Sequence, residues 1–583
     1  MTAPPSRFVF VNVDPSHKAT SDLVVRSKAG AHRQEAAVAA ASTAAETSAE
    51  TAASLPARRA AADAAGGASR RQAPPWTRGP RFRLENTSRA ARRKKPRVSG
   101  SKAIHADSVW SDDAVRVAIA RLLPVLTERV ARFGASRPDP FQSLPSTGLP
   151  EELESPTLAF LLHEYQPAIC NAPPSDQEVV ALFDFVKHNR AAFLSNLFSA
   201  LCYRQARDKK WGIVLGDKES RELAYCAFYC QYEATKLLKE EVVRYGVQMP
   251  EAAFLTMLYL GCCAWDGNHA EDRPAFVPFL ESLGLLDLYT GFRPERCHVE
   301  ACYKTIRARG GLGTFSLPFL AAGISYSAVL DATRMGGKPA LPFVPHLDQD
   351  QPCSLDRRLG FTTADVERRL GAYRRYLPDG MLQVLYGLRA FEAVLGQYAD
   401  QDVAVGSERR ALVDQRNLVQ FHILSLPSER CSREWEDALY ETCRLALMLY
   451  GMGVVFPVSL GAAPWGRLTQ ELLDVLQRDD AAVLRRCGPH HPLALQLLAW
   501  STVIGGISAH GTPLRSRYVS LLKKWWPPQM FESRFATFRS AMLESIAWFS
   551  YSCEKAGEDL WREVLQLERT DAPTRSNAGD QQT

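Results

Sequence analysis

The chain has no cysteine before Cys170, so a thiolate-held metal cluster in its N-terminal part is excluded. It also lacks an apolar run of signal-peptide length behind its start, Met1-Thr-Ala-Pro-Pro-Ser-Arg-Phe-Val-Phe, and export is not expected. Its 13 cysteines in 583 residues therefore read as free thiols in a reducing compartment. There is no Gly-x-Ser-x-Gly elbow and no His-Glu-x-x-His helix; His163-Glu164 stands alone. The glycines of Arg309-Gly-Gly-Leu-Gly313 and Met335-Gly-Gly-Lys338 have neither the spacing of a phosphate-cradling loop nor a strand leading into them. They read as helix stops, where glycine supplies positive φ. Absence of alternating strands and of a fixed repeat leaves out an all-β architecture and a regular solenoid.

What is present divides by charge. Residues 1–100 carry 18 Lys+Arg against 7 Asp+Glu, whereas the remaining residues carry 52 against 57, so a net charge of +6 hides a basic start and a slightly acidic remainder. Residues 31–68 hold 18 alanines and almost no large apolar side chain that could offset the entropy of ordering them. Between Arg78 and Arg97 nine basic residues face one acid, Glu85. The densest run, Arg92, Arg93, Lys94, Lys95 and Arg97 around Pro96, suits capture by the acidic groove of a nuclear import receptor. Arg78, Arg81, Arg83 and Arg89 add weak, sequence-blind phosphate contacts of the kind that give non-specific DNA association. Residues 1–105 are thus expected to be a disordered arm, and 569–583 a disordered tail.

From residue 106 to 568 the apolar period is helical. Ser111 precedes two acids and the stripe Val115, Ile119, Leu122, and Ser175-x-x-Glu178 forms a capping box before Val179, Leu182, Phe183 and Val186. Leu223, Ala227, Cys230, Ala234 and Leu238 line one helix face after Gly216 and Ser220. Further helices are expected near 252–265, 298–309, 363–398, 435–451, 467–477, 492–505 and 532–565. The fold class is all-α, a large irregular body of antiparallel helix pairs. Leu445–Gly466 runs 22 residues without a charge, long enough for a bilayer, but its glycines with Pro457 and Pro464 would leave backbone groups unsatisfied in lipid. It reads as a buried helix followed by a buried loop, with no membrane partner.

Cys226 with Cys230, Cys262-Cys263, and Cys297-His298 with Cys302 approach metal-ligand spacing, but they sit among Tyr, Phe, Leu and Ala and read as core. His490-His491 precedes Pro492 at a helix start, as a cap or surface pair. Lys523-Lys-Trp-Trp-Pro-Pro528 with Phe531, Phe535 and Phe538 reads as an aromatic helix junction in preference to a base-stacking platform. Trp265, Trp500 and Trp548 are the candidate liners of any apolar pocket. No catalytic, cofactor or metal residue is assigned and the chain reads as a non-enzyme; the alternatives are a helical ligand-sensing or scaffold protein, or an enzyme whose residues converge only in three dimensions.

The ordered set of blocks resembles the regulatory domain of the fungal-specific transcription factors. Arg7-Phe-Val-Phe-Val-Asn-Val-Asp-Pro15 with Val25-Arg-Ser-Lys28 resembles the start of the subgroup that lacks a zinc cluster. Asp139-Pro-Phe141 with Leu144-Pro145 resembles the motif that opens the helical part, and His298 to Leu312 the helix ending in Arg-Gly-Gly-Leu. Leu445–Tyr450 through Val454-Val-Phe-Pro457, Leu497-Leu-Ala-Trp500 through Gly505-Gly506, and Phe549 to Trp561 follow in order. The resemblance implies a nuclear transcriptional regulator, commonly of a biosynthetic gene cluster. Its partners would be other transcription factors or co-regulators, with a homodimer compatible. The family's six-cysteine module is missing, so sequence-specific DNA binding is not carried over and action through another protein is expected.

Overall fold

The computed structural model describes residues 144–571, apart from 171–176, 263, 266–274, 280, 350–352, 400–406, 429–433 and 479–490. The arm, the Ser111–Leu122 stripe, Asp139-Pro-Phe141 and the Ser175 cap lie outside the described residues. What is described is helical, as the periodicity requires, with one two-residue antiparallel pairing of Ala264–Trp265 against Phe292–Arg293.

The first half begins with α1 (Glu151–Phe160), a π-turn at Leu161–Tyr165 and the short α2 (Gln166–Ile169). Then come α3 (Gln177–Lys187), α4 (Arg190–Lys210), α5 (Asp217–Tyr245) and α6 (Glu251–Cys262). Asn189 caps α4, its side chain accepting from Ala192 N at 2.9 Å while its amide donates to Glu241 at 2.9 Å near the far end of α5. That double bond closes an antiparallel α4–α5 hairpin. Asp217 and Glu219 sit on the positive end of α5, Arg244 on its negative end, and Gly246 stops it at φ 56°. Leu223, Ala227, Cys230, Ala234 and Leu238 are all buried against α4, as their spacing implies. After α7 (Leu286–Tyr289), α8 (Arg296–Arg309) ends at Gly310 with φ 114°, and α9 (Pro318–Met335) ends at Gly336 with φ 61°. Both glycine pairs are helix stops. On α9, Leu320, Ile324 and Ala328 join the first hydrophobic core and Val329 and Leu330 the second, so this helix is a wall common to two lobes.

The second lobe holds α10 (Leu355–Leu359), α11 (Thr363–Leu370), α12 (Asp379–Ala399), α13 (Ser407–Ser425), α14 (Glu434–Tyr450), α15 (Trp465–Arg478), α16 (Pro492–Ser508), α17 (Arg515–Trp525), α18 (Phe535–Met542) and α19 (Ser550–Asp571). Three expectations need correction. The helix near 252–265 ends at Cys262 and gives way to the short strand. The span 363–398 is two helices: α11 ends at Leu370, a 3-10 turn runs over Gly371–Arg375, and Pro378, which has no N–H to continue a ladder, precedes α12. The span 532–565 opens between Met542 and Ser550, where the carbonyls of Glu544 and Ile546 are collected by the Arg389 side chain of α12.

Leu445–Gly466 is α14, a π-turn at Gly451–Val455 and a loop, buried from Leu445 through Val458. A Cβ on Gly453 would lie 2.5 Å from the Phe276 ring, which accounts for glycine there. No helix among the described residues is long and apolar enough to cross a membrane. Trp526, Phe531, Phe535 and Phe538 are buried around Trp561, with Phe538 stacked on it at 4.6 Å, so the junction is core.

Candidate ligand groove

A groove of about 490 Å³ runs between α12 and the segment joining α18 to α19. Arg389, Glu392 and Gly396 form one wall; Glu544 and Trp548 through Tyr551 form the other. Helical spacing places Arg389 and Glu392 one turn apart on the same face of α12. After Met542 the chain makes turns through Ile546 and has no regular structure over 547–549 before α19 begins.

Arg389 and Glu392 are each held by neutral partners, whereas Glu544 on the opposite wall pairs with Arg539 at 2.8 Å. Arg389 Nη1 donates to Glu544 O at 2.6 Å and to Ile546 O at 3.2 Å, and no carboxylate among the described residues lies within ion-pair distance of it. Glu392 accepts from the Tyr450 hydroxyl and from the Trp548 backbone N–H. Phe549 N donates in turn to the Tyr450 oxygen at 2.9 Å. Protein surrounds the Glu392 carboxyl, and this burial pushes its pKa up to about 7; the Tyr450 hydroxyl, Arg389 and the Trp548 N–H only partly offset it. Burial also raises Tyr450 and the neighbouring Cys553 thiol well above their ordinary values, so neither supplies an anion near neutral pH. A half-open groove with one guanidinium, one carboxyl poised near neutrality and an aromatic wall can bind and orient a small molecule.

Of the three candidate tryptophans, Trp548 lines this groove, and its Nε1 donates to Glu554 at 3.1 Å. Trp500 is fully buried beneath it, donating from Nε1 to Ala547 O at 2.6 Å with its ring 5.8 Å from that of Tyr450. The Trp265 side chain lies outside the described residues. So do the basic residues Arg92, Arg93, Lys94, Lys95 and Arg97, and Arg78, Arg81, Arg83 and Arg89.

The other singled-out residues are scattered. Cys226 and Cys230 are packed between α4 and α5, with Cys226 pushed up to about 11 by burial and Cys230 further. Cys302 is buried in the first core, and no cluster of three metal-ligating side chains occurs among the described residues. His491 neither caps with its side chain nor stands free: its Nδ1 and the Tyr376 hydroxyl are hydrogen-bonded at 2.8 Å. Glu164 pairs with Arg207.

Sequence reasoning missed Arg389 and Glu392. A basic and an acidic residue three apart on a helix ordinarily form a solvated pair, and only the distant carbonyls of Glu544 and Ile546 draw Arg389 away. No protein-family model, no curated protein and no solved structure matches the chain.

Proposed function

We propose that the chain is a nuclear transcriptional regulator of the fungal type, working on a biosynthetic gene cluster through partner proteins. One observation supports the reading above others. Blocks that resemble the family and lie far apart in sequence meet at one place: Tyr450 from the first, Trp500 from the second and Phe549 from the third. Tyr450 packs on Trp500, and its hydroxyl takes the Phe549 N–H. The Arg-Gly-Gly-Leu block is likewise a packing element, with Arg309 donating to Met249 O at 2.8 Å and lying 5.4 Å over both Phe254 and Phe315, while Leu312 is buried. Residues shared with a family at such junctions specify a body and not a chemistry.

On this reading the arm addresses the molecule. Arg92, Arg93, Lys94, Lys95 and Arg97 engage the import receptor, the remaining arginines give weak non-specific DNA contact, and other transcription factors or a second copy bind the body. Fluorescence of the tagged full chain tests it. Nuclear signal that becomes cytosolic when those five residues are changed to alanine is expected; cytosolic signal unchanged by the substitutions would remove the main support. A second reading, a ligand-sensing scaffold without a transcriptional role, is favoured by the groove. It predicts a melting temperature that climbs with the logarithm of ligand concentration in a chain that never enters the nucleus.

A further inference from the structure

The groove beside α12 has a chemistry that the regulatory reading does not use. Arg389 spends Nη1 on two main-chain carbonyls, 2.6 and 3.2 Å away, and these bonds fix the plane of its guanidinium. Nε and Nη2 keep their N–H donors, with no protein acceptor bonded to either among the described residues. They are the side-on pair that a carboxylate accepts with both oxygens. An aromatic wall, Trp548, Phe549 and Tyr551, stands across the groove, with Phe549 and Tyr551 held by edge contacts of 5.4 and 4.8 Å to Phe279. The volume, about 490 Å³, is that of a small-molecule site.

The geometry points to a binding site for a small monocarboxylic acid with an aromatic or apolar body, its carboxylate on Arg389 and its body against Trp548 and Phe549. An amine is disfavoured by the same guanidinium, and a neutral analogue leaves the Arg389 fork without an anion. The inference stands apart from the regulatory reading, because the groove takes an acid whether or not the chain enters a nucleus.

Glu392 sets the condition for binding. Its carboxyl lies one turn from Arg389, and the titratable or charged groups around it are Arg389 on α12, Tyr450 on α14, Cys553 on α19 and Glu544 on the opposite wall. Tyr450 and Cys553 stay neutral, and Glu544 is engaged by Arg539 at 2.8 Å. Protonated, Glu392 leaves the guanidinium unopposed; ionised, it competes with the ligand for the same positive field. Its pKa of about 7 makes acid binding proton-linked across the neutral range.

Calorimetric titration of the full chain with phenylacetate, benzyl alcohol and benzylamine at pH 6 and pH 8 tests the site. Phenylacetate is expected to bind at pH 6 at least about tenfold more tightly than either analogue, and to weaken about tenfold at pH 8, the ratio of protonated Glu392 at the two values. Arg389→Gln should abolish binding. Because that change also releases the 544 and 546 carbonyls and can unfold the segment, Glu392→Gln is the second variant: its amide oxygen still accepts from Tyr450. It should bind phenylacetate at both pH values with the tenfold difference gone. Absence of phenylacetate binding up to about 10 mM, benzylamine binding as tightly as the acid, or an unaltered pH dependence in Glu392→Gln would each overturn the proposal.

Discussion

The two lobes bury charge differently. In the first, charge meets charge. Arg207 pairs with Glu164 and with Asp208 at 2.9 Å, Arg204 reaches the same Asp208 at 3.5 Å, and Lys210 at the end of α4 holds Asp287 at 2.6 Å. In the second, Arg515 still pairs with Glu563 at 2.9 Å, but other buried charges meet dipoles and rings. Arg416, among the largest fully buried side chains, donates to Leu283 O and to Asn417 Oδ1 and lies 5.0 Å over the Phe456 ring, with no ion pair to a carboxylate among the described residues. Arg389 and Glu392 follow the same rule. Paired charges are consumed by the fold, whereas singly held ones keep capacity for a ligand or a proton.

The largest effect expected is in the first lobe. Asp208 is buried between two arginines, and Asp208→Ala leaves both without it, at a cost of about 3 kcal/mol in urea unfolding. Arg416→Met in the second lobe should cost only about 1 kcal/mol, because removing a buried cation also removes its desolvation penalty and offsets the loss at the Leu283 carbonyl and Asn417 Oδ1. Equal losses at the two sites would break the comparison.

Glu392 gives the next effect in size, visible only through pH. Its folded pKa of about 7 lies above the ordinary 4.5, so between these values the folded state keeps a proton that the unfolded chain has released. Stability must fall as pH rises through that window and stay low above it. Glu392→Gln removes the slope. It should match the parent chain near pH 4 and exceed it at pH 8 by about 3 kcal/mol, read from urea midpoints at both values. The smallest effect is at Tyr225, exposed on α5, where alanine should change stability by less than about 0.5 kcal/mol.

How much of this could be read from residues alone depended on whether the signal was local. The buried face of α5, the stops at Gly310 and Gly336 and the aromatic junction around Trp561 follow from helical spacing, glycine φ and aromatic clustering, all within a few residues of chain. α4 escaped notice because it is buried almost all round, from Ala191 through Cys202, and shows no apolar stripe. The break after Met542 has no proline or glycine to announce it; its freed carbonyls are answered by Arg389 from another helix. The groove inherits that illegibility, since its guanidinium, carboxyl and aromatic wall converge only once the break has formed. Cys226, Cys230 and Cys302 were legible as core from the apolar residues around them in sequence.

The claim that the body never reads bases, and that only the basic arm touches DNA, is tested most directly by selection of duplexes from a random pool with the purified full chain. The account predicts no enriched sequence, and an association that drops on the order of 10³-fold between about 50 and about 200 mM salt, as counterion release by the basic residues from Arg78 to Arg97 requires. One duplex enriched from the pool and still held at the higher salt would contradict it.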